Sequence, residues 1–331
     1  MAPWQRIEAV LSRRKPDRTP ISFWHHFSPD EYSGPRAVQA HLDHLRRYDL
    51  DFLKVMNDNG YPHQTHVETL SDLPSIELLK DDEPQFALQL DLLSDLRRAI
   101  GPDVLMISTI FNSFAVLRHM IRPPTQHNPP DLSGAVDPPS QQIKGILTED
   151  WEAVKSALDT IGASLANFAR RCLGAGADGI YLSVRDDWVQ SREEIGLYRR
   201  LVMDSDLAVL NAASSARFNL LHVCGHPIDF RSFAEYPVHA VNWADRAAGP
   251  AIRDVKDWLK PAICAGIDNL NTLPNGTTGE CEREVADALA QADDRPIILS
   301  PGCTYDPNKV PTQNLQAICR AARAKRPNAR D

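Results

Sequence analysis

The chain has 331 residues, 43% hydrophobic and 24% charged, a composition that supports a sizeable folded core and argues against disorder. Its formal net charge is -8 and no basic stripe runs along it, so nucleic acid is a poor partner. No run approaches 18 apolar residues, so we expect no membrane span. The first residues lack the apolar core of a signal peptide, and six cysteines do not make a disulfide scaffold. We therefore expect a cytoplasmic protein with reduced thiols.

Eight short apolar runs rich in strand-forming residues recur along the chain, mostly separated by stretches in which apolar residues have helical spacing. They cover residues 19–24, 51–56, 104–109, 179–184, 218–224, 240–244, 262–267 and 296–300. Strands that alternate with helices pair in parallel, and eight such units predict a single α/β domain over residues 1–331, a (β/α)8 TIM barrel. An open doubly wound sheet is the alternative. It needs a glycine-rich turn after its first strand, where this chain has Trp24-His-His-Phe27.

A proline-rich segment at about 111–142, after the third run, breaks the alternation. Its prolines are Pro123, Pro124, Pro129, Pro130, Pro138 and Pro139. One interpretation is a solvated surface loop. The other is a lid, because the segment follows a strand on the face of a barrel where active sites form.

Three residues with soft ligand atoms stand at the ends of two predicted strands: His222, Cys224 and Cys303. His222 and Cys224 are two positions apart, so both point to the same side of an extended strand. Cys303 follows the eighth run, and the ends of parallel strands meet at one mouth of a barrel. One imidazole and two thiolates are three ligands of a tetrahedral zinc site whose fourth position stays open for water or substrate. A core histidine beside a buried cysteine is the alternative for His-x-Cys alone.

Further polar side chains end other runs. His25 and His26 follow the first run, and Asp58 follows the second. The two histidines are candidates for orienting substrate or supplying a further metal ligand, with a packed or surface histidine pair as the alternative. Asp245 and Asp268 follow the sixth and seventh runs and are candidates for cofactor binding at the same mouth.

Short motifs spread over most of the chain point to one family. They are Lys15-Pro-Asp-Arg-Thr-Pro20, Leu221-His-Val-Cys-Gly225, Gly266-Ile-Asp-Asn-Leu-Asn-Thr-Leu273, Ser300-Pro-Gly-Cys303 and Val310-Pro-Thr-Gln-Asn-Leu315. With these motifs the chain resembles the uroporphyrinogen decarboxylase superfamily, and within it the zinc-dependent corrinoid:thiol methyltransferases. The resemblance implies that His222, Cys224 and Cys303 bind Zn²⁺. It also implies transfer of a methyl group to a zinc-activated small thiol from a methylcorrinoid, which a small corrinoid carrier protein holds as partner.

One departure from the family and one agreement bear on the reaction. The decarboxylases carry an Arg-Gln-Ala-Gly-Arg run that grips the tetrapyrrole carboxylates after the first strand. Here that place reads Trp24-His-His-Phe-Ser-Pro29, so we reject a porphyrinogen substrate. Met56-Asn-Asp-Asn-Gly-Tyr-Pro62 resembles the context of the decarboxylases' catalytic aspartate. Asp58 occupies that place, where it either handles protons or caps a loop.

Two other functional classes stay open at this point. The first is a zinc-dependent lyase or decarboxylase that uses Asp58, or His25 and His26, as acid and base. Such an enzyme needs no methyl donor. The second is a barrel that binds a corrinoid or another ligand without catalysis, and the absence of zinc from purified protein would favour it.

Overall fold

Seven parallel strands form one sheet and lie side by side in the order of the chain. The computed structural model describes residues 1–62, 66–80, 83–121, 145, 149–185, 192–225 and 230–324. The strands are β1 (Phe52–Val55), β2 (Leu105–Phe111), β3 (Gly179–Arg185), β4 (Leu220–Cys224), β5 (Ala240–Trp243), β6 (Ala262–Ile267) and β7 (Ile298–Pro301). The sheet curls into a TIM-like half-barrel. Because all of its strands are parallel, their carboxyl ends share one edge.

Helices alternate with the strands, and most of them pack against the outer face of the sheet, which is the α/β arrangement that the sequence predicts. They are α1 (Pro3–Leu11), α2 (Gly34–Tyr48), α3 (Pro84–Ile100), α4 (Ser113–Ile121), α5 (Trp151–Gly174), α6 (Arg192–Tyr198), α7 (Asp204–Ala212), α8 (Phe230–Phe233), α9 (Ile252–Val255), α10 (Thr272–Asn275), α11 (Thr278–Ala292) and α12 (Thr312–Arg323). A π-helical turn covers Arg199–Met203, and 3-10 turns cover Pro29–Glu31 and Leu70–Ser75. None of the described helices is long and apolar enough to cross a membrane.

Side chains of each strand alternate between the two faces of the sheet. On β1, Leu53 and Val55 face the outer helices, whereas Phe52 lies on the inner face. Near the amino ends of the strands the inner face is an apolar cluster, which we call the lower layer: Phe52, Leu105, Ile107, Phe218, Leu220, Ala240 and Ile298. Full burial of one large apolar side chain contributes about 1.5–3 kcal/mol to stability. The lower layer therefore anchors the strands whose opposite ends carry polar residues.

The first predicted strand, residues 19–24, is not among the seven. Ile21 forms an isolated parallel bridge to Leu299 of β7, and the Leu299 N–H donates to the Pro20 carbonyl over 2.9 Å. On its other side, the Ile21 carbonyl accepts from the Asp51 N–H over 2.9 Å. Proline has no N–H to give to a ladder, which limits the pairing of this segment. The segment thus lies between β7 and β1 and bonds to both, while an eighth strand is not confirmed.

The interval predicted as a loop or lid begins with regular structure. Phe111 ends β2, and α4 follows directly over Ser113–Ile121. Phe114, Leu117 and Ile121 of α4 are buried in the core at helical spacing, so apolar periodicity decides the structure before the first proline. The proline-rich remainder lies outside the described residues, and the loop and the lid both stay predictions there.

Candidate metal centre at the carboxyl ends of the strands

The three soft ligands predicted from the sequence meet at the carboxyl edge of the sheet. His222 and Cys224 belong to the end of β4, and Cys303 follows β7. Their ligand atoms all lie within 4.8 Å of one another. Two strands separate β4 from β7 in the sheet, so its curvature is what brings these residues together. The imidazole is buried and both cysteines are partly buried.

Gly302 lets the chain after β7 approach β5 closely. A Cβ added at position 302 would lie 2.5 Å from the Cα atom of Ala244. Backbone atoms cannot move aside as the end of a long side chain can, so this position requires glycine. The Gly302 N–H also donates to the carbonyl of Ile267 over 3.1 Å at the end of β6. These two contacts fix the position of the neighbouring Cys303.

Asn242 of β5 sets the orientation and tautomer of His222. Its amide nitrogen donates to the Cys264 carbonyl over 2.8 Å and to the Pro301 carbonyl over 3.0 Å. The amide oxygen therefore faces His222, whose Nδ1 is 2.6 Å away. The proton resides on Nδ1, and Nε2 presents a lone pair. That Nε2 atom is buried without a hydrogen-bond partner in the described part of the chain, as expected of an atom that binds a ligand.

The two thiols form a pair in which one sulfur is readily ionised. The Cys224 thiol donates to the Cys303 sulfur, which holds the pKa of Cys303 well below its usual range. Burial opposes this shift. Metals bind the thiolate form of cysteine. Two sulfur atoms and one imidazole nitrogen with an unused lone pair fit a tetrahedral zinc ion with one open position.

His26 and Asp58 form a second polar pair. His26 Nδ1 is 2.6 Å from Asp58 Oδ1, and the Phe27 N–H donates to Asp58 Oδ2 over 3.2 Å. The Asp58 side chain is 3% exposed and the His26 side chain 27% exposed. A buried carboxylate that accepts from Nδ1 fixes the ring and leaves Nε2 as its second proton site. The structure therefore brings two of the three predicted catalytic residues into hydrogen-bond contact, and their catalytic role stays a prediction.

His25, the third predicted catalytic residue, has a more enclosed environment. Its Nδ1 is 2.8 Å from the His26 carbonyl, and its ring lies 4.5 Å from the Phe27 ring and 5.3 Å from the Tyr305 ring, centre to centre. Burial lowers the pKa of His25, so the neutral imidazole is favoured. Within the described ranges, the group that could hold a metal ion contains neither His25 nor His26. A catalytic role for His25 stays a prediction.

Asp245 and Asp268, predicted to bind a cofactor, both hold local backbone. Asp245 Oδ1 accepts from the Gly266 N–H over 2.9 Å, and burial raises the pKa of Asp245 to about 6 against the opposing charge of Arg246. Asp268 Oδ1 accepts from the N–H groups of Leu270 and Asn271 over 2.9 and 3.1 Å. Neither aspartate belongs to the three-ligand group found among the described residues. Cofactor binding by this pair stays a prediction.

Sequence reasoning missed Lys54 and Tyr181, which lie on the inner face close to the ligands. The Tyr181 ring stacks with the His222 ring, with centroids 5.4 Å apart and an interplanar angle of 23°. The Lys54 ammonium lies 4.2 Å from the centre of the same tyrosine ring. A signal was present in the sequence, because strand alternation puts Lys54 on the same face as Phe52 and Met56. A single lysine between apolar residues on the inner face of a strand indicates that the interior is polar at that level.

Comparisons with known proteins agree with this fold. The family model described as Uroporphyrinogen decarboxylase (URO-D) matches residues 53–325. A methyltransferase from Methanosarcina mazei is similar in structure, with a TM-score of 0.75 and 15% identity over 97% of this chain and 98% of that one. The "Putative Vitamin-B12 Independent Methionine Synthase" from Listeria monocytogenes has a TM-score of 0.54 and 12% identity over 86% of this chain and 84% of that one. At such identities the structural likeness shows the fold alone. A search of curated protein sequences finds no match.

The family match covers most of the chain. It begins at the second residue of β1 and continues beyond α12, so it includes all three clustered ligands. The chain belongs to the uroporphyrinogen decarboxylase family.

Proposed function

We propose that this protein is a zinc-dependent methyltransferase that moves a methyl group from a protein-bound methylcorrinoid to a small thiol. The observation that carries the proposal is the His222 Nε2 atom, which is buried, has no hydrogen-bond partner among the described residues and lies within 4.8 Å of two thiol sulfurs. The family assignment and a structural neighbour called a methyltransferase support the same reaction class.

In this proposal His222, Cys224 and Cys303 hold the zinc ion. Zinc bound there would lower the pKa of a thiol in its open position and so favour the nucleophilic thiolate. Asn242 keeps the proton of His222 on Nδ1, so Nε2 is always the coordinating atom. Gly302 keeps Cys303 within reach of the other two ligands.

The His26–Asp58 pair accepts the proton that the substrate thiol releases. Asp58 Oδ1 lies 2.6 Å from His26 Nδ1 and fixes the ring, which leaves Nε2 as the atom that takes the proton. The sulfur electron pair then forms the new sulfur–carbon bond, and the methyl group leaves the donor without the bonding pair. The donor keeps both electrons, and the thiol proton ends on His26 or in water. This step needs no reductant or oxidant.

The corrinoid donor and its carrier protein would approach the carboxyl edge of the sheet, where the three ligands meet. We also propose that segment 19–24 completes the barrel as an eighth strand between β7 and β1, on the basis of its hydrogen bonds to both sides. Asp268 would stabilise the loop that follows β6, and Asp245 would tie the end of β5 to β6.

The test is a methyl-transfer assay with the zinc-loaded protein, methylcobalamin as donor and a panel of small thiols. We expect a methyl thioether whose amount equals the methylcobalamin consumed, and loss of the reaction after chelation of zinc. Product formation that continues without any methyl donor would contradict the proposal. That result would favour a lyase or decarboxylase built on the His26–Asp58 pair.

A further inference from the structure

Lys54 is a buried cation on the inner face of β1. The residue is 4% exposed, and its strand neighbours Leu53 and Val55 point to the opposite, helix-covered face. Its ammonium donates to the Met56 sulfur over 2.7 Å, although thioether sulfur is a weak acceptor. Within the described ranges, no carboxylate oxygen lies within 4.0 Å of this ammonium. The charge is therefore buried without the ion pair that normally accompanies it.

Burial of the Lys54 ammonium reduces the stability of the folded protein, because the charge loses its hydration. Burial lowers the pKa of Lys54 to about 7, although the negative charges of Cys303 and Asp58 oppose that shift. The aromatic faces of Tyr181 and Trp24, at 4.2 and 5.6 Å from the ammonium, recover part of the lost hydration. A lysine that served packing alone would be replaced by an apolar residue without this cost. Its position on the inner face, against the tyrosine ring that stacks on His222, indicates a role in the chemistry.

The electrostatic surroundings of Lys54 identify that role. The two opposing charges come from Cys303 in the three-ligand group and Asp58 in the His26–Asp58 pair. Tyr181 lies against both the ammonium and the His222 ring. Two thiolates, one neutral imidazole and Zn²⁺ sum to no net charge. A third thiolate, from the substrate, makes the group negative. The protonated form of Lys54, which lies against the Tyr181 ring that stacks on His222, compensates this charge and is itself favoured by it.

We propose that Lys54 is a positioning residue whose positive charge favours an anionic sulfur ligand over a neutral ligand at the metal centre. The inference rests on the proposed function and names its substrate class as a thiol that binds as thiolate. Lys54 acts through the electrostatic field at the group. It need not touch the substrate, because charges interact strongly over several ångströms in a low-dielectric interior.

The test compares the wild type with Lys54→Met, which is similar in length and neutral. Lys260→Met is the matched control, because Lys260 is exposed and precedes the amino end of β6, at the opposite edge of the sheet. Each protein is loaded with cobalt(II) and titrated with 2-mercaptoethanol, and separately with imidazole as a neutral ligand. The thiolate-to-cobalt charge-transfer absorbance reports sulfur binding, and the visible bands of cobalt report imidazole binding.

We expect Lys54→Met to bind 2-mercaptoethanol about tenfold more weakly, the effect of one pKa unit on the bound thiol, with imidazole affinity unchanged. Lys260→Met should bind both ligands as the wild type does. Equal thiol binding in wild type and Lys54→Met would overturn the inference alone. A wild type that takes up cobalt but binds no thiol would overturn the proposed function as well.

Protein stability separates this role from a structural one. A methionine side chain fills the same buried space without a charge, so we expect Lys54→Met to unfold at the same temperature as the wild type or at a higher one. Lys54→Gln serves as the second neutral variant, with the same expected loss of thiol affinity. Failure of both variants to fold would assign Lys54 to the core and overturn the proposal.

Discussion

The inner face of the curled sheet has two layers that differ in chemistry although they share the same strands. The lower layer is apolar and closely packed. The upper layer, one side-chain step toward the carboxyl ends, consists of Lys54, His222, Asn242, Ser300 and Cys303. On β4 the step runs from Leu220 to His222, and on β7 from Ile298 to Ser300. Two residues along a strand thus separate packing from ligand binding, because only alternate side chains face inward.

The layers also differ in whether they contain polar atoms that need hydrogen-bond partners. The lower layer has no polar side chains to pair, so its stability follows from burial alone. In the upper layer, Asn242 is bonded on both of its amide atoms, whereas His222 Nε2 has no hydrogen-bond partner among the residues that the structure describes. An unpaired buried atom costs free energy, and its retention indicates a ligand. Changes in the lower layer should therefore reduce stability, and changes in the upper layer should reduce binding.

The largest expected effect is loss of the metal on Cys303→Ser or Cys224→Ser. A serine hydroxyl is a poor replacement for a thiolate, so zinc should fall from about one per chain to below about a tenth after dialysis. The fold should persist, because both cysteines lie at the rim and are partly buried. Elemental analysis and circular dichroism measure the two properties. Full zinc content in both variants would show that neither cysteine is needed to bind zinc.

Leu220→Ala tests the lower layer directly below His222. Leu220 is fully buried, so its truncation should lower the free energy of unfolding by about 2–5 kcal/mol. Zinc content should remain about one per chain, because the variant leaves all three ligands in place. Denaturant titrations and metal analysis of Leu220→Ala and His222→Ala form a matched pair. If Leu220→Ala lost zinc while still folded, the separation of the two layers would be wrong.

Asn242→Ala is expected to weaken zinc binding about 10- to 100-fold, as is usual for the partner of a metal-binding histidine. The variant removes the acceptor 2.6 Å from His222 Nδ1 and frees the ring to change tautomer. Competition with a chromophoric chelator measures the affinity. Asn242→Asp provides the control, since a carboxylate can still accept from Nδ1 and should retain most of the binding. Equal affinity in Asn242→Ala and wild type would show that His222 needs no orienting partner.

The smallest of these effects is expected for Asp58→Asn. The variant replaces the carboxylate that orients His26 with a neutral amide and so weakens their hydrogen bond, and turnover should fall about tenfold while zinc content stays unchanged. Steady-state kinetics and metal analysis on the same preparation distinguish the two outcomes. Unchanged kinetics would leave Asp58 as a residue that only holds the Phe27 backbone.

Features that depend on local pattern were predictable from the sequence. Run 51–56 contains β1, run 262–267 coincides with β6, and the pairing of His222 with Cys224 follows from strand alternation. That Cys303 lies close to His222 and Cys224 was also predictable, because the carboxyl ends of parallel strands lie at one edge of the sheet. Helix α4 was missed because prolines further along the same interval dominated the interpretation.

Features that depend on tertiary contacts were not predictable. Segment 19–24 has strand composition, yet its pairing is reduced to an isolated bridge at Ile21, which depends on how β7 and β1 meet. The partners of Asp245 and Asp268 are backbone groups whose positions no sequence motif fixes. Lys54 carries a local signal, but its position against Tyr181, whose ring stacks on His222, arises only from the tertiary structure.

X-ray absorption at the zinc edge tests the central claim most directly. The claim is that His222, Cys224 and Cys303 hold one zinc ion with a fourth position open to a thiol. The resting protein should show two sulfur ligands at about 2.3 Å and lighter atoms at about 2.0–2.1 Å. Addition of the substrate thiol should raise the sulfur number to three. A spectrum without sulfur ligands, or one that no thiol changes, would contradict the account.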